Sequence, residues 1–204
     1  MRDALPGKYG GWGHADTMRR LLLPCLVLML AVQVPSARGD EPLLLPAHDV
    51  DVTYRATAGT QVLQQRVRWS VAAESMRIDP PTTGVYVIID YLTRRMSVVH
   101  DQEKSVVEMS APAGMAGVPG SGSADAFVRR GDAVVDGIGC VEWDTTDRVG
   151  KPADVCITSD GVLLQANAQG RTLVSAVKVQ YAPQDPALFR VPSDYSHRAM
   201  GAAR

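Results

Sequence analysis

From residue 48 onward, apolar and polar positions alternate with a period of two, the pattern of strands with one buried face. Val50, Val52, Tyr54 and Ala56 share one parity, and Asp49, Asp51, Thr53 and Arg55 the other. In the next run Leu63, Val67, Trp69 and Val71 oppose Gln64, Arg66, Arg68 and Ser70. Ala58-Gly59-Thr60 between them reads as a tight turn, so the two runs predict an antiparallel hairpin. Shorter runs follow at 75–79, 85–90, 96–100 and 105–109. Val85–Asp90 is nearly all apolar, which predicts a central strand covered on both faces. The connections are short, so neighbours in sequence should be neighbours in the sheet.

The alternation stops at Ser110–Ser123, a loop of Gly, Pro, Ser and Ala whose only bulky side chains are Met115 and Val118. Residues 124–130 read as one helical turn. Strands resume at 131–135 and 139–146, and Asp154–Thr158 and Val162–Asn167 flank an Asp160-Gly161 hairpin tip. After a turn at Gln169-Gly170, Arg171–Tyr181 reads as a long strand with Leu173, Ser175, Val177 and Val179 on one face. Leu188, Phe189 and Val191 are expected to tuck over a sheet edge, and 196–204 to form a frayed tail. No segment has the length and 3.6-residue period of a long helix. The prediction is a mainly β protein: a single curved antiparallel sheet, a half-open β-barrel of about ten strands, in one domain spanning 40–195.

The N-terminus changes the chemical setting. Arg19-Arg20, the apolar run Leu21–Val32 and the small residues Ala37 and Gly39 form a secretory signal peptide over 18–39. Its apolar run is shorter than the ~20 residues of a membrane span, so no stable transmembrane segment is expected after cleavage. The signal begins at Met18, so residues 1–17 read as an upstream extension from a misassigned start. Cleavage before Asp40 leaves 165 residues with 16 Lys and Arg against 20 Asp and Glu, a net charge of −4. That mixed, mildly acidic surface argues against nucleic acid as a partner. The expected location is the periplasm.

Export also settles how the cysteines read. Without Cys25 only Cys140 and Cys156 remain, and an even pair in an oxidising compartment is most simply a disulfide. Zinc would need two more ligands that no CxxC or HxxxH spacing supplies. A catalytic thiol would need a neighbouring His, and His48, His100 and His197 sit in ordinary strand and tail contexts. Asp49 and Asp51 could hold a cation, but a solvated strand face explains them as well. Arg66 and Arg68 could pair with them across the hairpin or meet a ligand headgroup. Trp69 and Tyr86 are either core or pocket. With Arg66, Arg68, Met115 and Val118 they complete the candidate pocket residues. No catalytic triad, carboxylate pair, metal site or cofactor fingerprint stands out, so an enzyme is not expected.

The order of these pieces resembles a known group. Met76-Arg77-Ile78-Asp79, the run VYVIIDYLTRRMSVVHDQEKSVVEM, Gly137-Ile138-Gly139-Cys140, DGVLL and Phe189-Arg190-Val191-Pro192-Ser193-Asp194-Tyr195 follow one another between Asp49 and Tyr195. This is similar to the periplasmic half-barrel proteins related to the lipoprotein carriers LolA and LolB. Within that group it resembles an uncharacterised branch with a G-x-x-C strand and a terminal F-x-x-P-x-x-Y. The resemblance implies a curved sheet with an apolar concave face that binds an acyl chain or a partner protein and has no catalytic apparatus. Two expectations follow: an exported protein holding an apolar or amphiphilic, lipid-like ligand, or an envelope module that recognises a protein. An unrecognised hydrolase is the third and weakest. The carriers' long lid helices are missing here, and only the loop Ser110–Ser123 could cover a pocket.

Overall fold

The hairpin at the start of the sheet forms as its alternation predicts. Val50–Ala58 (β1) pairs antiparallel with Gln61–Ser70 (β2), with Val50 opposite Trp69 and Val52 opposite Val67. The computed structural model describes residues 41–111, 119, 127–147 and 149–199, all within the unit Arg38–Arg204. The first meander continues through Ser75–Asp79 (β3), Val85–Asp90 (β4), Arg95–His100 (β5) and Ser105–Ser110 (β6). The second runs through Val128–Val135 (β7), Ile138–Thr146 (β8), Pro152–Ile157 (β9), Leu163–Ala168 (β10) and Arg171–Tyr181 (β11). A 3-10 turn at Pro186–Phe189 and the strand Ser196–Ala199 (β12) complete the described elements. No described helix is long and apolar enough to cross a membrane.

All twelve described strands form one open, curved sheet in the order β12-β6-β5-β4-β3-β2-β1-β11-β10-β9-β8-β7. The chain therefore starts in the middle of the sheet and builds outward to β6. It then crosses to the far edge at β7 and returns until β11 closes against β1. Leu44 and Leu45, ahead of β1, pack on the main buried cluster. The Ala47 amide donates to the Asp160 carbonyl at 2.8 Å, so this segment is tied to the turn between β9 and β10.

Three details differ from expectation. The sheet has twelve strands among the described residues, against the expected number of about ten. Part of the difference is Ser196–Ala199, expected to fray, which pairs in parallel with β6. Residues 128–130 belong to β7 rather than to a helical turn. The chain reverses into β8 at Asp136-Gly137, where both φ angles are positive (48° and 81°), the geometry of a two-residue hairpin turn.

The third difference is in β11. Val179 stands opposite Val52 and Lys178 opposite Thr53, but Ala176, not Val177, stands opposite Tyr54. This β-bulge inserts one extra residue and inverts the parity beyond it. Val174, Ala176 and Val179 therefore join the core, and Leu173, expected to share a face with Val177 and Val179, is 39% exposed.

Candidate binding site

Register assigns the two faces of the first meander. The inner face carries Val50 and Val52 of β1, Val67 and Trp69 of β2, Met76 and Ile78 of β3, and Val87 and Ile89 of β4. It continues through Met96, Val98 and His100 of β5 to Val107 and Met109 of β6. The outer face carries Arg66, Arg68, Arg77, Asp79, Tyr86, Ile88, Val99 and Val106.

Over β1–β3 the inner face is filled. Trp69, Met76, Val50, Val52 and Tyr54 are buried there with Val162 and Leu163 from the β9–β10 turn region. The Tyr54 hydroxyl donates to the Leu163 carbonyl at 2.7 Å, and burial pushes that phenol well above its ordinary range. Gly161 makes the fit possible: at φ +90°, a Cβ would stand 2.5 Å from the Leu45 carbonyl oxygen. The space left among Pro46, Tyr54, Val67, Trp69, Met76 and Leu163 is about 20 Å³, roughly what one water needs.

Over β4–β6 the same face is different. Ile89 is buried, and Val87 and Met96 lean on the main cluster. Val85, Val98, Val107 and Met109 are only partly buried and, among the described residues, join neither buried cluster. With strands about 4.8 Å apart, they form an apolar strip roughly 10 Å across.

The outer face of these strands is also apolar, but covered. Tyr86, Ile88, Val99 and Val106 form a second buried cluster under Val191 and Tyr195. Val85–Asp90, expected to be covered on both faces, is covered outside by Val191 and Tyr195, while Val85 and Val87 on its inner face are only partly buried. On neighbouring β1–β3 the outer face is charged. The Arg66 Nε donates to Asp51 at 2.9 Å, the cross-hairpin pairing open in the sequence. Arg68 goes instead to Asp79, which Arg77 shares. Arg77 also stacks over the Tyr86 ring at 3.7 Å and donates to the Leu188 carbonyl. Burial alone would raise the Asp79 pKa; the hydrogen bonds from Arg77 and Arg68 outweigh it and hold that carboxyl below its ordinary value. Arg68 is 9% exposed, and its Nε finds no acceptor among the described residues.

The candidate pocket residues therefore do not converge. Trp69 is a core residue on the inner face, edge-on to Tyr91 at 5.6 Å. Tyr86, Arg66 and Arg68 lie on the outer face. Met115 and Val118 lie outside the described residues. The sequence reading did not single out Val98, Val107 or Met109; the signal available was the apolar character of both parities in β5 and β6.

The acidic candidates have structural partners. Asp49 accepts the Val71 and Gln184 amides at 2.8 and 2.9 Å, and Asp51 holds Arg66. His48 and Asp49 line an open groove of about 380 Å³ with Tyr181, Ala182 and Pro183. Burial and a hydrogen bond with Asp160 push the Tyr181 pKa up to about 12, so this phenol is neutral at physiological pH. Among the described residues no three His, Cys, Asp or Glu side chains gather closely enough to hold a metal ion. Cys140 and Cys156 form a disulfide with Cα atoms 5.6 Å apart. Cys156 stands opposite Glu142, so the bridge runs diagonally between β8 and β9.

No protein-family model and no curated protein matches the sequence. Solved structures do match in fold. An uncharacterised conserved protein from Thermus thermophilus aligns with a TM-score of 0.55 at 13% identity, over 74% of this chain and 90% of that one. MucB aligns with a TM-score of 0.50 at 12% identity, over 75% of this chain and 60% of MucB. The Pseudomonas aeruginosa MucA/MucB complex aligns at 0.41 and 12% identity, over 74% of this chain and 58% of that one. At such identities the likeness is one of fold alone: this open sheet is similar to those of the Thermus protein and of MucB.

Proposed function

We propose that this is an exported, non-enzymatic binding protein of the periplasm that holds an apolar or amphiphilic ligand on the inner face of β4–β6. The observation that carries the reading is the partly exposed strip of Val85, Val98, Val107 and Met109. An antiparallel sheet ordinarily keeps one apolar face and one polar face. Here the outer face of the same strands already has an apolar cover, so a second apolar face is left for something else to cover. The disulfide and the signal at 18–39 support export, and the sequence resemblance to the LolA/LolB group supports a lipid-like ligand.

The form of the strip favours a second reading: four partly buried side chains on a sheet face can pack on an apolar segment of a partner protein in the envelope as well as on part of an amphiphile. Both readings are tested on protein exported from its own kind of host. Native mass spectrometry is expected to find a lipid-sized adduct, and Val107→Glu is expected to abolish it while leaving the circular dichroism unchanged. A bare polypeptide even after palmitate is offered would remove the lipid reading. Retention of an envelope protein by wild type and not by Val107→Glu would then establish the second.

A further inference from the structure

The C-terminal segment is joined to the sheet differently from every other strand. Ser196–Ala199 runs parallel to β6, with Ser196 opposite Ser105 and Ala199 opposite Glu108, whereas every other described pairing is antiparallel. The pairing is four residues long, and the side chains of Ser196, His197 and Arg198 are exposed. The anchors lie just upstream: Val191 and Tyr195 pack on Tyr86, Ile88, Val99 and Val106. The Tyr195 hydroxyl is within 2.9 Å of Asp101 Oδ1, and the Ser196 amide donates to the Lys104 carbonyl at 2.9 Å. Further ties among the described residues are the Ser196 hydroxyl donating to the Lys104 carbonyl at 3.3 Å and exposed contacts of Lys104 with Asp194 and His197 with Glu108, the surface charge contacts contributing little each.

What this segment covers is more apolar than the segment is. Val99 and Val106 are 0% exposed, and the β6 edge beneath β12 carries a row of backbone donors and acceptors. An apolar groove beside an open strand edge is the geometry that accepts an extended peptide by strand addition. We propose that the β6 edge and the groove of Tyr86, Ile88, Val99 and Val106 form a strand-accepting site. The chain fills it in cis with its own Val191–Ala199, and the occupant it takes in trans is the same segment of a second copy. The pattern read is an apolar residue, an aromatic residue four positions on, and a short parallel strand. Exchange of an identical element between copies is a low-cost route to association. The site is separate from the inner-face strip and does not depend on it.

The test uses the full chain and a fluorescein-labelled peptide of residues 188–199. Apparent affinity in trans is reduced by the fraction of molecules whose cis segment is open, so loosening the cis anchor should strengthen binding. The chain variant Tyr195→Ala is expected to bind the wild-type peptide at least tenfold more tightly than the wild-type chain does. A peptide carrying Val191→Ala and Tyr195→Ala should lose at least tenfold on either chain. Hydrogen exchange on the wild-type chain gives a readout that needs no variant. Amides of 196–199 should exchange faster than those of β1 and β11, and adding unlabelled peptide at millimolar concentration should leave β6 protected. Equal protection of β12 and β1, or a folded Tyr195→Ala chain that binds the peptide no better than wild type, would overturn the proposal. So would equal binding of the doubly substituted peptide, which would show that the groove reads no side chains.

Discussion

Replacing Asp79 by alanine should damage this fold far more than replacing Asp51, although both are carboxylates on the same sheet face paired with arginine. Asp79 serves Arg68 and Arg77 together. Arg68 is 9% exposed and already has one nitrogen without an acceptor among the described residues. Removing the carboxylate leaves two guanidinium groups on adjacent strands, one of them buried. Breaking a buried pair costs about 3–5 kcal/mol. Asp79 is 25% exposed, and Arg77 keeps the Leu188 carbonyl and the Tyr86 ring, so we expect a cost at or just below the bottom of that range, about 2–3 kcal/mol. Arg66, freed by Asp51→Ala, has a side chain 52% exposed and can turn to water, for a cost of about 1 kcal/mol or less. With a urea slope of about 2 kcal/mol/M, Asp79→Ala should lower the unfolding midpoint by roughly 1 M and Asp51→Ala by half that or less. Adding Arg68→Met to Asp79→Ala should recover much of the loss, because the buried charge goes with its partner. The pH dependence has a definite sign: the folded pKa of Asp79 lies below its ordinary 3.8. Its stabilisation is therefore complete above that value and is lost as pH falls through the folded pKa. Asp79→Asn should flatten the acid limb of the stability profile. Midpoint shifts of equal size for Asp79→Ala and Asp51→Ala would refute the reasoning.

Four further outcomes are expected. Replacing both Cys140 and Cys156 by alanine should cost about 3 kcal/mol in urea unfolding, from the freed loop between β8 and β9. Gly137→Ala places a side chain at φ +81° in open space and should cost about 1–2 kcal/mol. Gly161→Ala should cost more and should accelerate amide exchange at Ala47, because its Cβ meets the Leu45 carbonyl and displaces the segment over β1–β3. Tyr54→Phe leaves the buried Leu163 carbonyl without its donor and should cost about 1–3 kcal/mol, measured as a fall in the urea midpoint.

The strands were legible where one parity was apolar and the other polar. Val50, Val52 and Tyr54 against Asp51, Thr53 and Arg55 fix both the strand and its buried face. The Asp160-Gly161 tip and the Gln169-Gly170 turn were legible because their residues tolerate positive φ. Faces were not legible in β4, β5 and β6, where both parities are apolar. Nothing in VYVIID says whether Tyr86 or Val87 points inward; register does, through Ile78 opposite Val87. Tyr86 and Trp69 could therefore be grouped as pocket candidates although the sheet lies between them. The bulge in β11 was hidden for a related reason: RTLVSAVKVQY reads smoothly as an alternating strand, and only pairing with β1 shows the extra residue at Val177. Ser196–Ala199 has no strand signal because β6, with anchoring at Tyr195, imposes the conformation. The pairing of β1 with β11 joins residues more than a hundred positions apart, a distance at which local pattern carries no information.

The two faces of this meander are covered differently along its length. Over β1–β3 the inner face is covered by Leu44, Leu45 and the turn that reaches Val162 and Leu163, and the outer face needs no cover because it is built of ion pairs. Over β4–β6 the outer face is covered by Val191 and Tyr195. That leaves the inner face of β4–β6, where side chains of the same apolar type stay partly exposed. Gly161 supplies the closeness that lets the N-terminal segment dock over β1–β3. Tyr195, with Asp101, does the same for the C-terminal segment outside. We read this strip, apolar and partly exposed on a meander whose neighbouring faces are covered or charged, as the interaction site proposed above. If instead the strip were ordinary half-buried core, Val107→Glu would unfold the chain as thoroughly as a charge at Val106, its fully buried neighbour on the opposite face. The binding reading requires the opposite: a Val107→Glu chain that folds and has lost only what it holds.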